Sequence, residues 1–180
     1  MKKYKLTEET IQLGDEILYR IEALVSFLNV KAGDKGGFIQ TEKNLVHSGN
    51  AWVSGNARVS GNARVSGNAR VSGNAWVYGN ALVYGDARVY GNARVSGDAW
   101  VYGNALVKDV IVNLIGVCEY NITAYCEFIQ IGCKLHTHAE WKQIFKDGTY
   151  MELCHNVASY LQCKEAFDFC VLVMESRKEL

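Results

Sequence analysis

Long apolar runs are missing from this 180-residue chain. The longest, Phe169 to Met174, falls far short of the roughly 20 residues that a helix needs to cross a bilayer. The N-terminus, MKKYKLTEET, is basic but has no apolar segment of the kind that marks a secretory leader, so none is expected. An excess of one charge sign is also missing. Nineteen Lys and Arg balance 19 Asp and Glu, so no global field draws the protein to nucleic acid or to a membrane. The first 117 residues contain no cysteine; Cys118, Cys126, Cys133, Cys154, Cys163 and Cys170 all lie beyond them. Without a leader or a dense framework they read as reduced thiols in a cytoplasmic protein. No CxxC or HxxxH spacing links Cys133, His136, His138, Cys154 and His155, so no metal and no cofactor is expected there. No Walker pattern surrounds Gly33-Asp34-Lys35-Gly36-Gly37, and that stretch reads as a turn entering regular structure.

A six-residue repeat is what the chain has in abundance. From His47 to Val107 it runs V-S/Y-G-N/D-A-x without a break. Ten valines (Val53 to Val107), ten alanines (Ala51 to Ala105) and ten glycines (Gly49 to Gly103) form three columns. A fourth holds Asn at eight positions and Asp at two, Asp86 and Asp98. In a strand, alternate side chains face opposite ways, so the Ala and Val of Ala-Arg-Val-Ser face inward and Arg and Ser outward. Gly-Asn then turns the chain, since both residues tolerate positive φ. About four extended residues and a two-residue corner make one side, and three sides close an 18-residue coil. A helix is excluded, because Gly-Asn in every unit breaks any 3.6-residue face.

This pattern resembles the left-handed β-helix of the hexapeptide-repeat family. The resemblance implies a left-handed parallel β-helix, a triangular prism that is often a homotrimer. Open coils expose strand edges and need closing at both ends. The expected organisation is a single continuous domain: an N-terminal cap with the first imperfect coils (1–46), the repeat (47–109), and strands with a helical cap (110–180). Ile39 and Leu45 precede Ala51 at spacing six, so coils should begin near Phe38. Residues 110–134 read as further strands. Thr137 with Glu140 is a capping box opening a helix over 138–146, stopped by Asp147-Gly148. Thr149 with Glu152 is a second box, opening a helix to about 175. Cys154, Val157, Ala158, Leu161, Phe167, Cys170, Val171 and Met174 give it an apolar stripe, expected to pack on the prism or on a neighbouring subunit.

The flanks carry a closer resemblance, to a group of phage and prophage accessory proteins of poorly defined role. Three stretches support it. They are Arg20-Ile21-Glu22-Ala23-Leu24 with Gly33 to Ile39, Asn44-Leu45 leading into Gly49 to Val53, and Ile131-Gly132-Cys133 with His136-Thr137 and Trp141. The resemblance implies a tool against host defence in an infected bacterium. By analogy with proteins that act as sponges for nucleotide immune signals, it points to sequestration without cleavage.

Acyltransferases with similar coils place a catalytic His in or beside them, and the related carbonic anhydrases need three His for zinc. The coils here have no His between His47 and His136, so no enzyme of either kind is expected. A nucleophile pair at His136 or His155 lacks an orienting third group.

The outward positions do vary. Residues 18 apart should stack, giving Arg58, Trp76 and Arg94 on one side beside Ser60, Tyr78 and Ser96. A second side carries Arg64, Leu82 and Trp100 beside Ser66, Tyr84 and Tyr102. The third carries Trp52, Arg70, Arg88 and Leu106 beside Ser54, Ser72, Tyr90 and Lys108. Arg beside an aromatic suits a nucleotide, with a ring for the base and a guanidinium for phosphate. The candidate ligand contacts are therefore Arg58, Trp76, Arg94, Tyr78, Arg64, Trp100, Tyr84 and Tyr102, with His136 and Trp141 from the flank. The same apolar-plus-Arg surface also suits an oligomer interface or a protein partner, and both readings stand. Five Arg spread over three sides make no continuous track for nucleic acid. Residues 51–108 carry five Arg and one Lys against two Asp, while 109–180 carry six basic and ten acidic groups. That contrast fits either two solvated faces or a docking surface.

Overall fold

The structure is a computed structural model describing residues 1–108, 112–114, 122–125, 128–131, 134–148 and 157–176. The chain divides into two compact units, Met1–Val110 and Ile111–Leu180.

The first unit is a parallel β-solenoid. Each hexapeptide contributes one two-residue strand, Trp52–Val53 being the first and Leu106–Val107 the last. The register follows the 18-residue period: Arg58 pairs with Trp76 and Trp76 with Arg94, Arg64 with Leu82 and Leu82 with Trp100. On the third side Trp52, Arg70, Arg88 and Leu106 succeed one another. Backbone N–H groups of one coil donate to carbonyls of the next, as in Trp52 N to Ala69 O at 3.0 Å and Ser54 N to Val71 O at 2.9 Å. The Val and Ala columns fill the interior, with every valine from Val53 to Val107 fully buried.

The corners depart from expectation. At each, only Gly takes a positive φ, as at Gly55 (65°), and the Asn after it does not. With Ala57 N bonded back to Ser54 O at 3.3 Å, this is a type II′ turn, which demands Gly at its first central position. The Asn side chains are free for another task. Asn50 donates to Asn68 and Asn68 to Asp86; Asn62 donates to Asn80 and Asn80 to Asp98. Two of the three amide ladders thus run onto a carboxylate, which only accepts.

An additional coil precedes the repeat, bringing the stack to about four coils by the strand spacing of a sheet. It begins at Phe38, as expected, but in a different register. Ile39 pairs with Val59 and Leu45 with Val65, so both belong to the Val column, not the Ala column that spacing six assigned. The spacing of eight from Leu45 to Val53, instead of six, absorbs the shift. Gly36 and Gly37 lie buried within the strand Lys35–Ile39, where a Cβ on Gly37 would meet Ala57 O at 2.6 Å. They serve close backbone approach and are no phosphate loop.

An antiparallel hairpin, Tyr4–Leu13 with Glu16–Ala23, pairs with Lys35–Ile39 and closes the N-terminal end of the first sheet. Tyr4 stacks on His47 (4.3 Å) and meets Trp52 edge-on.

The second unit is a four-stranded antiparallel meander (Val112–Leu114, Ile122–Tyr125, Phe128–Ile131, Lys134–Thr137) with two helices. The expected capping box forms: Thr137 N donates to Glu140 Oε2 at 2.7 Å, and Glu140 N to Thr137 Oγ1 at 3.2 Å. The helix runs His138–Asp147 and ends at left-handed Gly148. The second helix is Val157–Ser176, and the Thr149/Glu152 box lies outside the described residues. Its buried face is Tyr160, Cys163, Ala166, Phe167, Cys170 and Val171. Leu161, assigned to the apolar stripe, is exposed instead, because the true stripe starts one residue earlier. Cys154, Val157, Ala158 and Met174 have no described side chains. Cys163 and Cys170 are fully buried, and no described helix is long and apolar enough to cross a membrane.

Candidate functional site

The first side of the solenoid brings the predicted column together. Phe38, Arg58, Trp76 and Arg94 succeed one another in register on adjacent coils. Arg58, Trp76 and Arg94 each lie between an inward Ala and an inward Val, which forces them outward, and Phe38 lies between Gly37 and Ile39. Arg94 Cζ lies 6.0 Å from the Trp76 ring centroid, within cation–π range. Tyr78, two residues on from Trp76 and so on the same face, packs its ring 4.4 Å from the indole. Above them Arg20 covers Phe38 at 4.2 Å, held by Glu9 and by the Gly36 carbonyl.

Two donors on this face lack acceptors among the described residues. Arg58 Nε and Trp76 Nε1 are both buried without a hydrogen-bond partner. A buried unsatisfied donor costs about 1–3 kcal/mol, so the two on adjacent coils leave an unmet cost just beneath this face. The sequence placed these residues side by side; only the structure reveals the unmet donors.

The second side groups Arg64, Leu82 and Trp100 in register. Tyr84 and Tyr102 stack at 5.2 Å, 13° from parallel, and burial pushes the Tyr84 hydroxyl pKa up. Trp100 is 47% exposed.

His136 and Trp141 belong to the other unit and do different work. Trp141 is fully buried and its Nε1 donates to Ile129 O at 2.6 Å, which removes it from any contact surface. His136 meets it edge-on at 4.9 Å, with Nδ1 3.9 Å from the Glu140 carboxylate. Among the described residues no three His, Cys, Asp or Glu converge as metal ligands; Cys133, Cys154 and His155 lie outside them.

Comparison with known families fits this geometry at the level of the repeat. The family model of the YdcK beta solenoid repeat matches residues 51–67, 63–79, 75–90 and 87–103. The coils are similar to the YdcK beta solenoid repeat. The match covers the part of the chain in which Val, Ala and Gly recur, and leaves both flanks outside it. No curated protein matches the chain.

Proposed function

We propose that the protein is a non-catalytic binding module that sequesters a small nucleotide-like ligand on the Arg58–Trp76–Arg94 face. The observation carrying this reading is the pair of buried donors, Arg58 Nε and Trp76 Nε1, without acceptors beside an exposed Arg94. A nucleotide offers a base to stack on Trp76 or Tyr78 and phosphate to Arg94, and it offers acceptors to the two donors once the side chains over them move aside. Sequestration without cleavage is the role that the phage-type resemblance implies, in the cytoplasm of an infected bacterium. A thermal-shift panel of linear and cyclic nucleotides and ADP-ribose derivatives tests it, since a ligand of the native state raises Tm by mass action. The expected result is a large shift with one member, lost in Arg58→Ala and Trp76→Ala. A flat panel would overturn the reading.

A second reading, a homotrimeric scaffold docking another protein, is favoured by Trp100 and Leu106, each 47% exposed on the second and third sides. A trimer in native mass spectrometry that Trp100→Glu dissociates would support it, and a monomer at all concentrations would exclude it.

A further inference from the structure

The third side of the solenoid carries a groove of about 880 Å³ that the first side does not share. Arg70 and Arg88, paired in register, form its floor. The Asn50–Asn68–Asp86 ladder makes one rim, and Tyr90 stands on the other. The tip of a tight hairpin, Leu28 and Asn29, forms a wall.

Two features mark this groove as built for a ligand. The first is charge. Arg70 and Arg88 lie on adjacent coils, about 4.8 Å apart by strand spacing. Among the described residues neither forms an ion pair; the nearby Asp86 carboxylate accepts from Asn68 at 3.0 Å instead. Two guanidiniums carried on paired strands repel one another where they approach unless an anion bridges them, and their forks match the oxygens of a phosphate.

The second is strain. Phe27 and Val30 exchange both backbone hydrogen bonds at 2.9 Å, closing a two-residue turn. Its first central residue, Leu28, has φ +47°, the only positive φ of any non-glycine among the described residues. Every corner of the solenoid puts Gly at the corresponding place. A leucine held in this conformation and 70% exposed is disfavoured twice, by backbone and by hydration. It gains from neither unless something apolar covers it.

We propose that this groove binds a phosphate-bearing small molecule, its phosphate bridging Arg70 and Arg88 and its apolar part lying against Leu28. The site is on a different face from the Arg58 column and stands or falls separately from it.

NMR titration of the full chain with inorganic phosphate and with phenyl phosphate tests the site. Both should bind saturably and perturb the Arg70 and Arg88 amides, phenyl phosphate more tightly. Arg70→Ala and Arg88→Ala should each weaken both by roughly tenfold. Asp86→Asn restores the commoner ladder residue, leaves the fold intact and removes a negative charge from the rim, so it should tighten phosphate binding several-fold. Asp98→Asn makes the same change in the ladder beside the second face and should leave binding unchanged. Leu28→Gly should raise Tm while reducing phenyl phosphate to the affinity of inorganic phosphate. Absence of saturable binding, or binding indifferent to Asp86→Asn and to both arginine variants, would overturn the proposal. Phosphate binding lost in Arg58→Ala but not in Arg88→Ala would place the anion on the first face and overturn this site alone.

Discussion

Lys3 and Tyr4 are neighbours beneath the first coil, and burial moves them in opposite directions. Lys3 is 4% exposed, with Nζ on the Ala51 carbonyl at 2.8 Å, and desolvation pushes its pKa down to about 8. Tyr4 donates to Leu45 O at 2.7 Å, and burial, then the Glu42 charge, hold its pKa well above the ordinary phenol value. Between pH 8 and 10.5 the unfolded chain keeps a proton on Lys3 that the native state has lost, so stability rises with pH there. Above pH 10 the unfolded chain loses the Tyr4 proton that the native state keeps, so stability falls. Tm should climb from about pH 8 toward 10 and then turn down, and calorimetry of Lys3→Met should show no climb. The glycine corners give a second residue-scale outcome. Among the described residues a Cβ at Gly103 (φ 63°) meets nothing within 4 Å, so Gly103→Ala should cost only the backbone term, about 1–2 kcal/mol. At Gly79 (φ 71°) the same Cβ meets Gly97 N at 2.9 Å, so denaturant unfolding of Gly79→Ala should show a clearly larger loss.

At the scale of the element, the coils hold each residue by its column. Val77 is fully buried between Val59 and Val95, so Val77→Asp places an unpaired charge in the solenoid interior. It should cost on the order of 4 kcal/mol or more, abolishing cooperative unfolding in circular dichroism, whereas Val77→Ile should fold. This layer was legible because period six with Gly in every unit admits one solution, and the 18-residue register follows arithmetically. The N-terminal hairpin was not read, although Gly14-Asp15 between Leu13 and Glu16 is a turn flanked by alternating residues; the pairing of Tyr4 with Ala23 is what that signal meant. Spacing six places Ile39 and Leu45 in the Ala column because it does not register the two extra residues before Val53. The stripe of the last helix drifted by one because Leu161 is apolar without being buried. The candidate site was legible as a column of residue types. The unmet donors of Arg58 and Trp76 and the strained Leu28 were not, since burial and backbone angle leave no mark in composition.

For the whole molecule, the solenoid is a rigid frame whose three sides differ only in what they point outward. One side is short of acceptors, one presents a tyrosine stack and an exposed Trp100, and one holds a groove over two arginines. Arg, Trp and Tyr point outward from the repeat and supply contact. Binding without chemistry, as proposed above, is the central claim. The most direct test is to incubate the purified protein with a nucleotide extract, wash it, denature it and identify what is released by mass spectrometry. One nucleotide-like species recovered unchanged in stoichiometric amount, and absent from Arg58→Ala, is the predicted result. No retained species, or recovery of a chemically altered one, would contradict it.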